Sequence, residues 1–167
     1  SIHGGLIGAL IGIYLFSSSN NNTLTNITTN SNHESGIYFW SSSGSGPDNN
    51  KLTNINMWNC SSGSTHACIY DYQGSSNVFE NVYLNYTSSG VGIWIEVDSP
   101  SSSITASNNL FKNIKIENIG GYDVKVEKRA GYALNNTFLN ATYNSSKEYV
   151  TGSNAELIRK WYSTAYV

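Results

Sequence analysis

Charged residues are scarce in this chain of 167 residues, which carries 9 Lys and Arg against 11 Asp and Glu. The charged share of 12% is about half that of an ordinary soluble domain, and the net charge is −2. A nucleic-acid-binding protein needs a concentration of Lys and Arg. The composition therefore argues against nucleic acid as a partner.

Membrane-spanning runs are also lacking. The apolar stretch GGLIGALIGIYLF, residues 4–16, is too short to cross a bilayer as a helix, and its glycines disfavour a helix. We predict a strand there and no transmembrane segment. The chain has no initial Met and no charged segment before an apolar one, so we expect a mature form or a piece of a larger protein.

Cysteine is limited to Cys60 and Cys68, which flank the flexible loop CSSGSTHAC. We predict a disulfide between them and an oxidising compartment; two half-buried free thiols are the alternative. No metal site is expected, because the loop adds only His66, and we interpret His66 and His33 as polar loop residues. Nothing resembles a phosphate loop, a nucleophile elbow or a zinc motif, and we expect no cofactor.

Asparagine and aromatic residues are plentiful instead: 23 Asn, 12 Tyr and 4 Trp, which favour many short strands and bends. The pattern Asn-x-Leu/Phe-x-Asn occurs five times, and its second Asn advances by 28, 27, 32 and 27 residues. A period in the twenties with strands alone predicts a solenoid, whose stacked units share one core. The second Asn of each copy lies at Asn26, Asn54, Asn81, Asn113 and Asn140.

These five asparagines are predicted to form a ladder. Asn tolerates left-handed backbone angles at a corner, and its amide can bond to the equivalent amide one coil away. The alternative, that they are glycan sites, covers only Asn26 and Asn140. Those two belong to seven Asn-x-Ser/Thr sequons, a number that chance nearly explains: Asn21, Asn26, Asn59, Asn85, Asn135, Asn140 and Asn144.

The rhythm of GIYL followed by NNxLxNI resembles the right-handed parallel β-helix repeats of pectate-lyase-like proteins. It is most similar to the repeat shared by carbohydrate-binding proteins, sugar hydrolases and many archaeal surface-layer proteins. The resemblance covers about residues 12–150 and implies an all-β, right-handed parallel β-helix of about five to six coils. We assign residues 1–150 to it. Residues 151–167 are assigned to a C-terminal tail that caps the helix, contacts another subunit or links to an absent domain.

A second repeated phrase, Gly-Ile-Tyr in its first copies, predicts an outward aromatic face. Because side chains alternate along a strand, the Ile and Val positions point inward and the remaining positions point outward. The outward aromatic rings have three open interpretations: a platform for an extended polysaccharide, a contact with another copy, or a surface covered by a loop. They are Tyr14, Phe16, Tyr38, Trp40, Tyr70, Tyr72 and Trp94.

Some features leave alternatives open. Asp71 breaks the inward apolar pattern and is expected either to bond to a neighbouring coil or to be turned outward by a bulge. The tail from Leu157 favours a strand, although Ser153–Glu156 could start a capped helix. A parallel solenoid leaves an open strand edge at each end, which favours head-to-tail stacking into filaments.

Catalysis is not the favoured interpretation. Glu96 and Glu127 are weak candidates for a carboxylate pair, with Lys125 and Arg129 nearby. Asp98, Asp123 and Glu127 are weaker candidates for a calcium cluster. No cleft is implied, and solvated surface charges explain all of these residues.

We therefore expect a secreted or cell-surface structural protein, archaeal in style, that self-associates as a filament or surface-layer subunit. Its partners would be other copies of itself. The alternative is a module that binds or processes an extended polysaccharide on the same aromatic face.

Overall fold

The computed structural model describes residues 6–7, 10–42, 46–98 and 104–163. Within these ranges the chain forms thirteen strands and one short 3₁₀ helix, Ser145–Lys147, so no described helix is long or apolar enough to span a membrane. The odd-numbered strands are Leu6–Ile7 (β1), Thr23–Asn30 (β3), Lys51–Trp58 (β5), Val78–Thr87 (β7), Leu110–Ile119 (β9), Ala133–Thr142 (β11) and Ala155–Lys160 (β13). The even-numbered strands are Ile11–Phe16 (β2), Ser35–Trp40 (β4), Ala67–Tyr72 (β6), Val91–Val97 (β8), Val124–Lys128 (β10) and Glu148–Thr151 (β12).

The strands form two sheets, one from the odd-numbered and one from the even-numbered strands, in chain order. Neighbouring strands pair in parallel, as β5 does with β7 and β6 does with β8. Each coil thus adds one strand to each sheet, and successive coils stack one strand spacing apart. The prediction of an all-β parallel β-helix of about five to six coils is confirmed.

The core lies between the two sheets and consists of stacked columns of equivalent residues. Phe79, Phe111 and Phe138, each from one copy of the Asn-x-Phe-x-Asn pattern, stack with ring centroids 4.7 and 4.6 Å apart. In the other sheet Ile37, Ile69 and further inward positions are fully buried. The apolar residues of both repeated phrases therefore supply one continuous core.

The predicted Asn ladder runs along an exposed corner of the first sheet. Each side-chain Nδ2 donates to the Oδ1 of the preceding coil's Asn, at 3.1, 3.0, 3.0 and 2.9 Å from Asn54 to Asn140. All five residues have φ between 53° and 56°, the left-handed region that Asn tolerates best among non-Gly residues. The side chains of this outer ladder face solvent rather than the core.

A second, inner ladder is formed by the first Asn of the same pattern, which the sequence alone did not distinguish. Asn50, Asn77, Asn109 and Asn136 are at most 1% exposed. Nδ2 of Asn50 donates to Asn77 Oδ1 at 3.2 Å, and Nδ2 of Asn109 donates to Asn136 Oδ1 at 3.1 Å. The Oδ1 atoms also accept backbone N–H groups of the preceding coil, so the amides satisfy the turn backbone inside the protein.

Asp71 lies inside the core, in register with Phe39 and Ile95. It neither bonds to a neighbouring coil nor turns outward. Its Oδ1 accepts the Gly74 N–H at 2.8 Å, while Oδ2 has no hydrogen-bond partner among the described residues. Burial raises the pKa of Asp71 well above its ordinary value, and the Gly74 bond opposes that rise only in part.

The sheets continue to the ends of the described chain. β13 pairs with β11, so the first sheet extends past residue 150 into the segment that the sequence assigns to a tail. Within that segment Ala155–Lys160 is a strand, so the predicted strand from Leu157 is confirmed only as far as Lys160. Residues 161–163 lie in no strand, residues 164–167 lie outside the described residues, and no helix starts at Ser153. At the other end the predicted strand of residues 4–16 is β1 and β2, and residues 4–5 and 8–9 lie outside the described residues.

Candidate functional site

The predicted outer aromatic face lies on the sheet of even-numbered strands. Tyr14, Tyr38, Tyr70 and Trp94 occupy equivalent outward positions on β2, β4, β6 and β8. Their ring centroids are 5.5, 4.8 and 4.8 Å apart along the column. In the neighbouring column Phe16 stacks on Trp40 at 5.1 Å. The register of the parallel sheet therefore turns a repeated sequence position into a stack of rings.

Because these rings stack on one another, several of their faces are covered and are not accessible to a ligand. Tyr70 lies between Tyr38 and Trp94, nearly parallel to both, at 10° and 18°. Trp94 is only 5% exposed, because Tyr70 covers one face and Lys125 Nζ lies 3.5 Å from the centroid of its ring. Open apolar ring surface remains chiefly on Tyr14 and Phe16, in the first coil.

The aromatic column leads into a cluster of charged residues on β8 and β10. Glu96 and Glu127 are register partners in adjacent coils, as predicted, but the Glu96 side chain is only 3% exposed. Tyr70 Oη donates to Glu96 Oε2, and Arg129 Nε lies 3.5 Å from Glu96 Oε1. Lys125 Nζ pairs with Glu127 Oε2 at 2.7 Å. Each carboxylate is thus held by a cation in a side-chain network.

The pKa shifts in this cluster follow from burial and from the neighbouring charges. Burial raises the pKa of Glu96, which the Tyr70 hydrogen bond and the Arg129 charge oppose. Burial, followed by the Glu96 charge, raises the pKa of the Tyr70 hydroxyl. The Glu96 charge is the main cause of a raised Arg129 pKa. A carboxyl of raised pKa next to a second carboxyl is chemically suited to proton donation, although both are engaged with protein groups.

The residues suggested for a calcium cluster, Asp98, Asp123 and Glu127, do not come together in one site. Asp123 precedes β10 and Glu127 lies near its end, so about four strand residues, roughly 13 Å, separate them. Asp98 pairs with Arg129 at 3.0 Å, and Asp123 accepts the Asn144 N–H at 2.8 Å. Among the described residues no group of three or more His, Cys, Asp and Glu side chains lies close enough to hold a metal ion.

The two cysteines are joined. The Cα atoms of Cys60 and Cys68 lie 4.9 Å apart and the Sγ atoms form a disulfide, buried against the core. His66 closes this loop through a backbone bond to Gly63, and the His33 carbonyl accepts the Ser62 N–H. Both histidines therefore lie in loops beside the disulfide.

The sequons differ in how free their side-chain amides are. Asn85 is nearly buried, and its Nδ2 donates to Tyr83 Oη at 3.0 Å. Asn135 Nδ2 donates to Asn108 Oδ1 at 3.2 Å, and Asn140 Nδ2 donates to Asn113 Oδ1 of the outer ladder at 2.9 Å. The remaining sequons, whose Nδ2 has no described hydrogen bond, are Asn21, Asn26, Asn59 and Asn144.

A second pair of exposed aromatic residues was missed by the sequence reasoning. Trp58 ends β5 and Tyr86 lies near the end of β7, one coil later, with their ring centroids 6.4 Å apart and 21° from parallel. Both are exposed, at 52% and 44%. They lie outside the repeated phrase that predicted the other aromatic face. Only the structure shows that these two rings lie next to each other.

A groove of about 460 Å³ lies at the end of β9, in the coil after the one that carries Tyr86. It forms beyond the end of β11, where the fifth coil turns early into the 3₁₀ helix and leaves the end of β9 uncovered. Its lining is mainly polar and includes Glu117, Asn118, Asn144 and Lys147.

The stacked parallel coils and a match to one family model together identify the family of this chain. The family model described as a right-handed beta helix region matches residues 6–160. The chain belongs to the right-handed β-helix family. Neither the curated proteins nor the solved structures include a match to this β-helix chain.

Proposed function

We propose that this β-helix protein is a non-catalytic structural subunit, secreted or at the cell surface, that associates with further copies of itself through its ends. The main support for this proposal is the exposure of Val150 on β12. It lies in register with the fully buried Val126, yet it is 44% exposed. A core position is therefore uncovered on an edge strand, whose outer backbone edge has no partner strand among the described residues. This arrangement favours pairing with another chain.

Further apolar surface lies at both ends of the rod. Leu10, Tyr14 and Phe16 are exposed in the first coil, and Trp161 and Tyr162 follow the last strand. A contact between unlike ends is heterologous and continues into a filament when it does not close. The exposed rings of the outer aromatic face lie in the first coil and support the same contact.

Replacing Val150 with Lys tests the proposal, because a charge at the uncovered core position must be desolvated in any end-to-end contact. The matched control is Thr53→Lys, on the outer surface of a central coil. We expect the wild type and the control to form concentration-dependent oligomers in light scattering and fibres in electron microscopy, and the Val150 variant to remain monomeric. A wild type that is monomeric at every concentration contradicts the proposal.

Binding of an extended polysaccharide is the second candidate function, favoured by the exposed rings of Tyr14 and Phe16. Phe16→Ala tests this function more cleanly than Tyr70→Ala. Tyr70 stacks on Tyr38 and on Trp94, so its removal would also disturb those two rings. Loss of glycan affinity in a variant that still assembles would favour this function. If the protein also processed the glycan, Glu96→Gln or Glu127→Gln would abolish turnover while binding persisted.

A further inference from the structure

The terminal strands of the odd-numbered sheet, β1 and β13, cover complementary parts of a coil. At one end β13 runs in register with β11 as far as Lys160. Followed coil by coil through β11, β9, β7 and β5, Lys160 occupies the position of Thr25 in β3. At the other end β1 pairs with Thr29 and Asn30, near the end of β3. Within the described residues, β13 therefore ends at the position of residue 25 and β1 begins at the position of residue 29.

Because of this arrangement, β13 of one copy and β1 of a second copy can share one layer of the sheet. The odd-numbered sheet ends with β11 and β13, and the even-numbered sheet ends with β10 and β12. A second copy moved along the rod axis places its β2 beside β12 and its β3 beside β13. Its β1 then lies in the layer of β13, at positions that β13 leaves free. Among the described residues no strand of one copy overlaps a strand of the other.

The even-numbered sheet matches at the same translation. Followed through β10, β8, β6 and β4, the exposed Val150 occupies the inward position of Leu15. Tyr149 occupies the outward position of Tyr14 in the same way. In the docked pair the second copy's Leu15 would cover Val150, and its Tyr14 would lie beside Tyr149. Tyr14 and Tyr149 are 49% and 38% exposed, so both rings have surface left to bury.

We propose that the β-helix stacks head to tail in this one register: β12 pairs with the second copy's β2, and β13 and the second copy's β1 share the layer between β11 and the second copy's β3. The inference rests on the proposed function and specifies its contact. All of these strands run in parallel, so the edge N–H and C=O groups of one copy can pair with those of the other. Each junction joins two unlike ends and leaves two more free, so the stacking continues into a filament.

A polar layer lies inside this junction and limits its affinity. In the last coil the inward position of Ile13 carries Glu148, and that of Leu24 carries Arg159. Arg159 Nη1 lies 3.5 Å from Glu148 Oε1, and Tyr143 Oη donates to the same oxygen. The pair is formed within one copy, so docking covers it without leaving a lone charge. Docking still removes water from Arg159, whose side chain is 43% exposed, and we therefore expect a reversible contact.

Paired cysteines test the register. Thr25→Cys with Lys160→Cys places thiols on the two sides of the junction, at outward positions about 4.8 Å apart, a separation that a disulfide spans. The matched control, Thr53→Cys with Lys160→Cys, lies one coil further apart, at about 9.6 Å, beyond the reach of a disulfide. After mild oxidation of the assembled full chain, non-reducing electrophoresis should show a ladder of covalent oligomers for the first pair. The control pair and each single variant should run as monomers.

Replacing the polar layer provides a second measurement. Glu148→Leu with Arg159→Leu continues the apolar columns of the core across the junction. The concentration at which half of the protein assembles should therefore fall by about tenfold or more in sedimentation. An unchanged or higher concentration, in a variant whose circular dichroism matches the wild type, would show that the layer lies outside the contact and overturns the arrangement.

The outcomes distinguish this arrangement from self-association in general. Fibres without a ladder from the Thr25 pair overturn the register and leave self-association standing. An equal ladder from the Thr53 pair, or from Lys160→Cys alone, has the same meaning, because it places other positions or like ends in contact. A wild type that stays monomeric at every concentration, with no ladder from either pair, overturns both.

Discussion

Alanine at Asn109 should be far more costly than alanine at Asn113, although the two residues are neighbours in one repeat. Asn109 is 1% exposed and belongs to the inner ladder, whereas Asn113 belongs to the solvent-facing outer ladder. Both variants remove the same type of side chain from the same coil. The difference between their losses in unfolding free energy therefore reports the effect of burial. It tests whether the inner ladder stabilises the β-helix.

The magnitude follows from the hydrogen bonds of Asn109. Its Nδ2 donates to Gly74 O at 3.0 Å and to Asn136 Oδ1 at 3.1 Å, and its Oδ1 accepts the Asn77 N–H at 2.9 Å. Three bonds at about 1 kcal/mol each, with at least one buried group left unsatisfied at about 1–3 kcal/mol, give a loss of about 4–6 kcal/mol. That is a large fraction of the stability of a domain.

Asn113→Ala loses two side-chain bonds that water can replace, and it places Ala in the left-handed region at φ 53°. A loss of about 1–2 kcal/mol is expected, mostly from the backbone. Asn113→Gly, which removes the side chain but suits that φ, should cost less than Asn113→Ala. Urea unfolding followed by circular dichroism measures all three free energies of unfolding. Equal losses at Asn109 and Asn113 would refute the assignment of distinct roles to the two ladders.

Two further predictions concern buried groups. Because burial raises the pKa of Asp71, the folded protein holds that proton more tightly than the unfolded chain does, so wild-type stability falls as pH rises through the folded pKa. Asp71→Asn should therefore match the wild type below about pH 4 and exceed it increasingly as the pH rises from there, in thermal unfolding; a gap that is constant with pH would contradict this. The disulfide closes a loop with a sequence separation of 8, so the double replacement Cys60→Ala and Cys68→Ala should lower the free energy of unfolding in urea by about 2–3 kcal/mol. An unchanged urea midpoint, with reductant having no effect on the wild type, would show that the bond contributes nothing.

Much of the fold could be predicted because a solenoid repeats its own sequence. The period of the Asn-x-Leu/Phe-x-Asn pattern sets the coil length, and alternation along each strand assigns inward and outward positions. Those are local properties, so one chain suffices to infer them. The inward Ile37 and Ile69 and the left-handed corner at Asn54 were therefore predictable.

The candidate sites were less predictable, because they depend on what surrounds each side chain. Outward alternation alone makes Trp94 and Glu96 exposed, yet the structure buries both. Tyr70 stacks on one and bonds to the other, and Lys125 and Arg129 close over them. Sequence spacing does not report how far a long side chain reaches across the neighbouring coil.

The sequence by itself determined the periodic part of this protein: the parallel coils, the core columns and the outer Asn ladder, since each follows from a short repeated pattern. Only the tertiary structure decided which Asn of each pair is buried, where core residues such as Val150 lie uncovered, and that Trp58 and Tyr86 meet. These features arise from contacts between coils about 27 residues apart in sequence and one strand spacing apart in space. Such contacts exist only once the coils are stacked.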